Sequence, residues 1–394
     1  MSTFTLSRPA QPNSSADLLT SAGRFAVRQA VRLCDHGVVS DALIRAGIRR
    51  LLQDRLRELS MRHDTDDQSI LQHLWSGPIA VSTDAANEQH YELPASFYQA
   101  VLGPHLKYSC GLWPNATSSE QGESDSEQGE SEGRSGLEQA EAHALMRTCR
   151  NAQLEDGQRI LEIGCGWGSL SLWMAEHYPS ARITAVSNSH SQRHFVEALA
   201  AIRGLTNLQV ITADINEFEP QGSFDRVVSV EMFEHCRNHA LLLRRILSWL
   251  EPDGRLLVHI FCHRSHAYLF EDRGPADWMS RHFFTGGIMP SHDLLSRAAD
   301  GMEVEQVDDW NGEHYQRTSN AWLAEMDRHP EDVRKALQSC YGSSWKQWRN
   351  RWRIFFMACA ELFGFNGGTE WFVTQQRIRP VDRTVRFANS PCDQ

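Results

Sequence analysis

The chain has no run of about 18 apolar residues, which excludes a bilayer-spanning helix. Its nine cysteines form no C-x-x-C pair and keep no regular spacing, and no secretory signal is visible. A disulfide framework and a metal-ligand cluster are therefore not expected, and free thiols in a reducing, cytoplasmic compartment are. Positive charge is scarce: 39 Lys and Arg stand against 50 Asp and Glu, a net charge of -11. That balance argues against a nucleic-acid footprint and against stable membrane insertion. No N-P-P-Y motif occurs either. What remains is 394 residues at 41% hydrophobic content, enough for one large domain or two smaller ones.

One stretch organises the chain, Arg159–Ser171, RILEIGCGWGSLS. Ile160, Leu161 and Ile163 read as a buried strand, and Gly164, Gly166 and Gly168 turn it into a helix beginning near Ser169. Glycine permits the tight turn and lets a ligand lie against the backbone, while the helix start offers N–H groups to an anion. Glu162 stands just before the first glycine, in front of such a ligand. A nucleotide-binding turn and a purely structural turn both fit. The motif departs from the dinucleotide fingerprint G-x-G-x-x-G, and no acid closes the next strand, Arg182–Ser187. That strand leads into Asn188, Ser189 and Gln192 instead.

Before this stretch, residues 16–60 repeat apolar positions at helical spacing, and Gly37 separates two helices. The second is basic and amphipathic, either a cover helix on the core or a surface-docking one. Met1–Asn13 reads as a loose tail. His90–Trp113 is dense in aromatics. Residues 117–136 carry six acids, one Arg and no large apolar group, the composition of a disordered insert. A helix is expected over Leu137–Asn151.

Beyond it, VEMFEH at Val230–His235 follows a fourth strand. Glu231, Glu234 and His235 then gather at the carboxyl end of a parallel sheet, where open α/β folds bind ligands. Two carboxylates and an imidazole suit proton handling, and crowding raises the pKa of one carboxylate. Structural capping or pairing is the alternative. Tyr268, Phe270, Trp278, Phe283 and Phe284 form either an aromatic wall for a flat or cationic ligand or ordinary core. A sixth strand is expected at Gly301–Trp310, an apolar helix at Trp345–Phe363 and a last strand at Thr369–Ile378.

The order EIGCGWG, AVSNSHSQ, ITAD, FDRVVSVEMFEH and LEPDGRLLVHIF resembles the class I S-adenosylmethionine-dependent methyltransferases, from about Glu138 to Phe261. HYELPASFYQAVLGPHLKYSCGLW resembles the signature of the cyclopropane fatty acid synthase superfamily. HIFCHRSHAYLFEDRGPADWMSRHFFTGGIMP and ELFGFNGGTEW are similar to its coclaurine N-methyltransferase-like branch. The resemblance spans about Ser82 to Arg379, apart from the acidic insert.

It implies an α/β fold: a Rossmann-like seven-stranded class I methyltransferase sheet with a helical N-terminal cover and a lid insertion after strand five. It divides the chain into a helical region (1–80), a cofactor-covering flap (81–116), the insert (117–136), the S-adenosylmethionine-binding core (137–262), and the lid with the C-terminal part of the fold (263–394). Tyr91, Tyr108 and Ser109 would lie near the methionine end of the cofactor. Glu162, Gly164, Gly166 and Gly168 would lie beneath its methionine and ribose, and Asn188 and Gln192 beside the ribose. Asp214 with Ile215 would meet the adenine, unless Asp214 is a helix cap. The implied reaction is methyl transfer to the nitrogen of a small amine. Glu231 would hold the amine, Glu234 and His235 would manage its proton, Tyr315 would close the pocket, and His259, Phe261, Tyr268, Phe283 and Phe284 would line it.

Two alternatives accompany this reading. One is methyl or methylene transfer to an acyl-lipid double bond with a bound bicarbonate, for which Cys110, Glu234, His259, the Phe261 backbone and Tyr315 are the candidate ligands. In cyclopropane synthases a glycine generally stands where this chain has Glu231. The other is a non-catalytic cofactor-binding scaffold. Monomer and homodimer are both compatible with the sequence.

Overall fold

A computed structural model describes residues 21–81, 93–114, 134–274 and 276–381. Among the described residues, three helices come first, α1 (Ser21–Asp35), α2 (Asp41–Ser60) and α3 (Asp64–Trp75), then α4 (Ala95–Val101) and α5 (Arg134–Asn151). The core follows as β1 (Arg159–Ile163), α6 (Ser169–His177), β2 (Arg182–Ser187), α7 (His190–Ile202), β3 (Leu208–Thr212), β4 (Phe224–Val230), α8 (His239–Trp249) and β5 (Leu250–His263). An excursion holds β6 (Tyr268–Leu269), α9 (Trp278–His282), β7 (Ile288–Met289) and α10 (Leu294–Ala298). The chain closes with β8 (Met302–Trp310), α11 (Glu313–Arg328), α12 (Pro330–Tyr341), α13 (Trp345–Phe363) and β9 (Trp371–Pro380).

Seven strands form one sheet in the order β3-β2-β1-β4-β5-β9-β8. β1 to β5 run parallel, while β9 inserts antiparallel between β5 and β8. The parallel strands are apolar almost throughout because helices cover both faces; β1 is buried from Ile160 to Ile163. The chain leaves β1 toward β2 on one side and reaches β4 on the other, so a crevice opens at the carboxyl ends of β1 and β4. β6 and β7 form a separate antiparallel pair.

The helices α11 and α13 pack over the crevice together with α4 and the excursion. Their core includes Phe97, Tyr98, Phe283, Trp322, Trp352 and Phe356. The basic helix α2 rests on α13 as a cover, where Arg45 and Arg49 both donate to Glu361, at 2.9 and 2.7 Å. The helix α5 begins at Arg134, three residues earlier than the sequence predicts. The rest of the acidic insert, residues 117–133, lies outside the described residues. Among the described residues, no helix is long and apolar enough to cross a membrane, and no group of His, Cys, Asp and Glu could hold a metal ion.

Candidate active site

Three clefts meet at the carboxyl ends of β1 and β4, and Glu231 lines all of them. The first runs under β1, β2 and β3 and is walled by Gly164, Gly166, Ser187, Asn188, Gln192, Asp214 and Ile215. The second lies between the 106–109 flap and the β1 turn, with Tyr108, Ser109, Glu162, Gly166 and Ser169 on its walls. The third is aromatic. Tyr108, Phe261, Phe270, Phe284, Tyr315 and Phe363 stand on its walls, the apolar lining with a few polar groups that small-molecule sites show.

The first two clefts carry the marks of a ligand absent from the chain. Gln192 Oε1 accepts from Ser187 Oγ at 2.7 Å, which leaves its buried Nε2 without a protein partner. The buried Ser169 Oγ also has none. A Cβ on Gly166 would meet nothing within 4 Å, so that backbone borders open space. The buried Glu162 carboxyl accepts from Ser171 Oγ. Burial drives its pKa up to about 7 against the lowering effect of that bond, and a cationic group placed beside it would favour the ionised form. Asp214 Oδ1 accepts from Asn216 N at 2.8 Å and Asn216 Nδ2 at 3.0 Å, so it holds its own turn while facing the first cleft. The donors and the buried carboxyl fit the ribose, adenine and amino-acid end of S-adenosylmethionine.

Glu231 follows β4 with φ at +47°, a conformation that costs a side-chain-bearing residue about 1 kcal/mol or more. Its surroundings hold it there. Its N–H donates to His259 O at 2.9 Å. Oε1 accepts from Cys110 N at 2.9 Å and faces His259 Nε2 at 3.3 Å; Oε2 accepts from Tyr315 Oη at 2.5 Å. Burial alone would raise the Glu231 pKa, but His259, the Lys107 ammonium and the Tyr315 hydroxyl outweigh it, and the group stays ionised.

Lys107 is itself buried and donates to Ser109 Oγ at 2.5 Å and Cys110 O at 2.8 Å, which shapes the flap that presents Cys110 N–H. The flap in turn docks on α11, through Gly111 N to Thr318 Oγ1 at 3.1 Å and Trp113 N to His314 Nδ1 at 3.0 Å.

His235 borders both the first cleft and the aromatic one. Its ring stacks on Phe284 with centroids 4.9 Å apart. Burial lowers its pKa to about 4 even though Glu231 opposes this, so the imidazole is neutral. Glu234 turns away from the clefts. It is fully buried, its Oε1 accepts from Phe261 N at 2.9 Å, and it lines none of these three clefts. Burial and the nearby Glu231 charge raise its pKa well above the usual range, so it is a neutral acid.

Of the other residues singled out from sequence, Phe261 and Phe284 lie on the aromatic wall. Phe283 lies one layer behind, stacked on Phe355 at 4.5 Å, and Tyr268 is also behind, accepting from Trp371 Nε1 at 3.0 Å. His259 is wholly buried behind Glu231. Gly168 lines no cleft; it lets α7 approach, since a Cβ there would stand 2.6 Å from Val196 Cγ2. Tyr91 lies outside the described residues.

Lys107 and Ser169 also line the second cleft, although no sequence motif marks them as site residues. Met279, Met289, Trp322, Phe355, Cys359 and Leu362 complete the wall of the third cleft, again without a motif. The apolar stripe of α13 signalled burial, but nothing in it told core from cleft.

Residues 81–368 match the family described as mycolic acid cyclopropane synthetase. The chain is 34% identical over 303 residues to (S)-coclaurine N-methyltransferase of Thalictrum flavum subsp. glaucum, covering 75% of this chain and 79% of that protein. It is 29% identical over 360 residues to pavine N-methyltransferase of the same plant, covering 89% and 96%. A crystal structure of coclaurine N-methyltransferase bound to N-methylheliamine and SAH superposes with a TM-score of 0.81 at 30% identity, covering 90% of this chain and 99% of that one.

Proposed function

Since this chain belongs to the mycolic acid cyclopropane synthetase family, we propose that it is the N-methyltransferase kind of member, transferring a methyl group from S-adenosylmethionine to the nitrogen of a small aromatic or alkyl amine. The observation that carries the reading is Glu231. An ionised carboxylate borders the cofactor clefts and an aromatic cleft at once. Aromatic faces beside a buried negative charge suit a cationic amine. The similarity to two plant N-methyltransferases adds support.

S-adenosylmethionine supplies a methyl group already activated on a sulfonium, so the protein's work is alignment and proton removal. Gln192, Ser169 and Glu162 hold the donor, with Asp214 and Asn188 on the adenosine side. Glu231 draws the ammonium into the aromatic cleft. His235, neutral at the border of two clefts, is placed to take the proton as it leaves the nitrogen, and the Glu231 charge beside it offsets part of the burial that weakens it as a base. Phe261, Phe270, Phe284 and Phe363 exclude water. Glu234 acts indirectly: it fixes the backbone of Phe261 and the turn carrying Glu231 and His235.

A bicarbonate does not fit this arrangement. Cys110 N–H, His259 and Tyr315 are all engaged by the Glu231 carboxylate, and Phe261 N–H is engaged by Glu234. Glu231 fills the position where a bound anion would have to sit. A cytoplasmic setting belongs to the proposal; Cys110, Cys149, Cys165, Cys236 and Cys262 are buried free thiols.

The test uses methyl-labelled S-adenosylmethionine with benzylisoquinoline, phenethylamine and simple alkylamines beside vesicles of unsaturated phospholipid. Label on an amine nitrogen is the expected outcome. Label only in the lipid acyl chains would overturn the reading.

A further inference from the structure

Behind Glu231 a chain of buried polar side chains runs from the cleft to the far side of the sheet. It crosses β5, β9, α5 and β8, and its hydrogen-bond directions can be solved from one end. At the far end Asp308 is clamped by Arg147, whose Nε and Nη2 donate at 2.8 and 3.0 Å, and Trp310 Nε1 adds a third bond at 3.0 Å. Burial would raise the Asp308 pKa, but these donors lower it, so its oxygens only accept.

Next to Asp308 in this relay stands Asn151, whose Nδ2 lies 2.7 Å from Asp308 Oδ2 and 2.6 Å from Gln375 Oε1. Both amide hydrogens of Asn151 are thereby used. Gln375 must then present its oxygen to Asn151 and its Nε2 to the other side. That nitrogen meets Thr148 Oγ1 at 2.8 Å and His259 Nδ1 at 3.0 Å. Thr148 Oγ1 already donates to Ala144 O at 2.8 Å, so it can only accept from Gln375. His259 Nδ1 accepts as well, and the ring hydrogen is left on Nε2, which faces Glu231 Oε1. Asn151, Thr148, His259 and Gln375 are each at most 5% exposed, so water does not offer a competing arrangement.

Resting on the amine-methyltransferase reading, we propose that Gln375, oriented by Asn151 and Asp308, is a positioning residue that fixes His259 in the neutral Nε2–H form and so preserves the full negative charge of Glu231 for the cationic substrate. An imidazolium at His259 would neutralise much of that charge. The geometry forbids it, because protonating Nδ1 would turn a donor against the Gln375 amide. The charged and titratable groups around the Glu231–His259 pair are Lys107, Cys110, Glu234, His235, Asp308, Tyr315 and Cys359. None of them offers His259 Nδ1 an acceptor. The relay parallels the outer partners that fix a histidine tautomer at many catalytic centres.

The test reads His259 by nitrogen NMR in the full-length, substrate-free protein, with the signal assigned by its loss in His259→Asn. The wild type should show the Nε2–H tautomer, without titration between about pH 5.5 and 8.5. A protonated Nδ1 at neutral pH would overturn the proposal. This arm needs no substrate, so it stands even if the methyl acceptor proves not to be an amine.

Gln375→Glu then supplies the missing acceptor. It should create an imidazolium at His259 and raise the amine KM by about tenfold or more, with S-adenosylhomocysteine affinity held within about threefold. An imidazolium with unchanged KM would overturn the link to Glu231. Should that variant not fold, Asp308→Asn, at the half-buried end, should loosen the relay and let both tautomers appear; a single unchanged tautomer there would overturn the orienting role of Asp308.

Discussion

Glu231 is strained, buried and charged at once, a combination that only its donors make tolerable. Glu231→Gln keeps the shape and removes the charge. The new amide hydrogens must then face Tyr315 Oη, Cys110 N–H or His259 Nε2–H, all of which already donate to this position. Loss of one partly buried charge opposite an ammonium should raise the amine KM by about tenfold or more. S-adenosylhomocysteine, neutral at sulfur, should bind within about threefold of wild type. Steady-state kinetics beside calorimetric titration separates the two, and an unchanged amine KM would remove Glu231 from substrate binding.

The sequence made Glu231 and His235 legible because VEMFEH follows a readable strand. It could not tell which carboxylate faces the cleft. Glu231 and Glu234 are three residues apart, and a short 3₁₀ turn at Phe233–His235 sends one forward and the other under Phe261.

The strand-turn-helix element at Arg159–His177 shows how two glycines of one motif divide the labour. Gly168 has φ +80° and a Cβ there would strike Val196; Gly166 has φ +53° and open space. Both Ala variants carry the left-handed cost of about 1–2 kcal/mol. Gly168→Ala should lose about 1–3 kcal/mol more through overpacking against α7. Gly166→Ala should instead weaken S-adenosylhomocysteine binding beyond its effect on stability. Thermal midpoints and binding titrations on the pair test this, and equal losses in both assays would contradict it.

Elements of this kind were the most readable part of the chain. Strand β2 spans the predicted Arg182–Ser187, and α13 the predicted Trp345–Phe363, because apolar periodicity and glycine breaks are local signals. The relay through Asn151 and Gln375 was not readable. It joins positions more than 200 residues apart, and its meaning lies in hydrogen-bond direction rather than residue type.

At the scale of the whole molecule, buried titratable groups set the pH dependence of stability. His235, His239, His263, His282 and His314 have pKa values lowered to about 4 by burial. The unfolded chain binds protons that these native groups refuse, so stability rises with pH from about 4 to 6.5. Glu141 and Glu162 are raised to about 7, again by burial. Their contribution is full below about pH 4.5 and is lost as pH climbs to about 7. Burial and the Glu231 charge raise Glu234 as well, and Asp309 raises His292, so five lowered histidines dominate the acid side while the three carboxyls and His292 lower stability above about pH 6.5. The ligand-free protein should therefore be most stable near pH 6.5, with the steeper fall toward acid. Thermal midpoints between about pH 5 and 8 test the shape; a midpoint that climbs steadily to pH 8 would contradict it. S-adenosylmethionine should flatten the alkaline fall if its ammonium pairs with Glu162.

A built-in carboxylate, not a captured anion, serves the active site proposed for this protein. The most direct measurement is amine turnover in carbonate-free and bicarbonate-containing buffer, for the wild type and for Glu231→Gly. The wild type should be indifferent to bicarbonate within about twofold, and the glycine variant slowed by about a hundredfold or more in carbonate-free buffer. Wild-type turnover that depends on bicarbonate, or a glycine variant as fast as wild type, would contradict it.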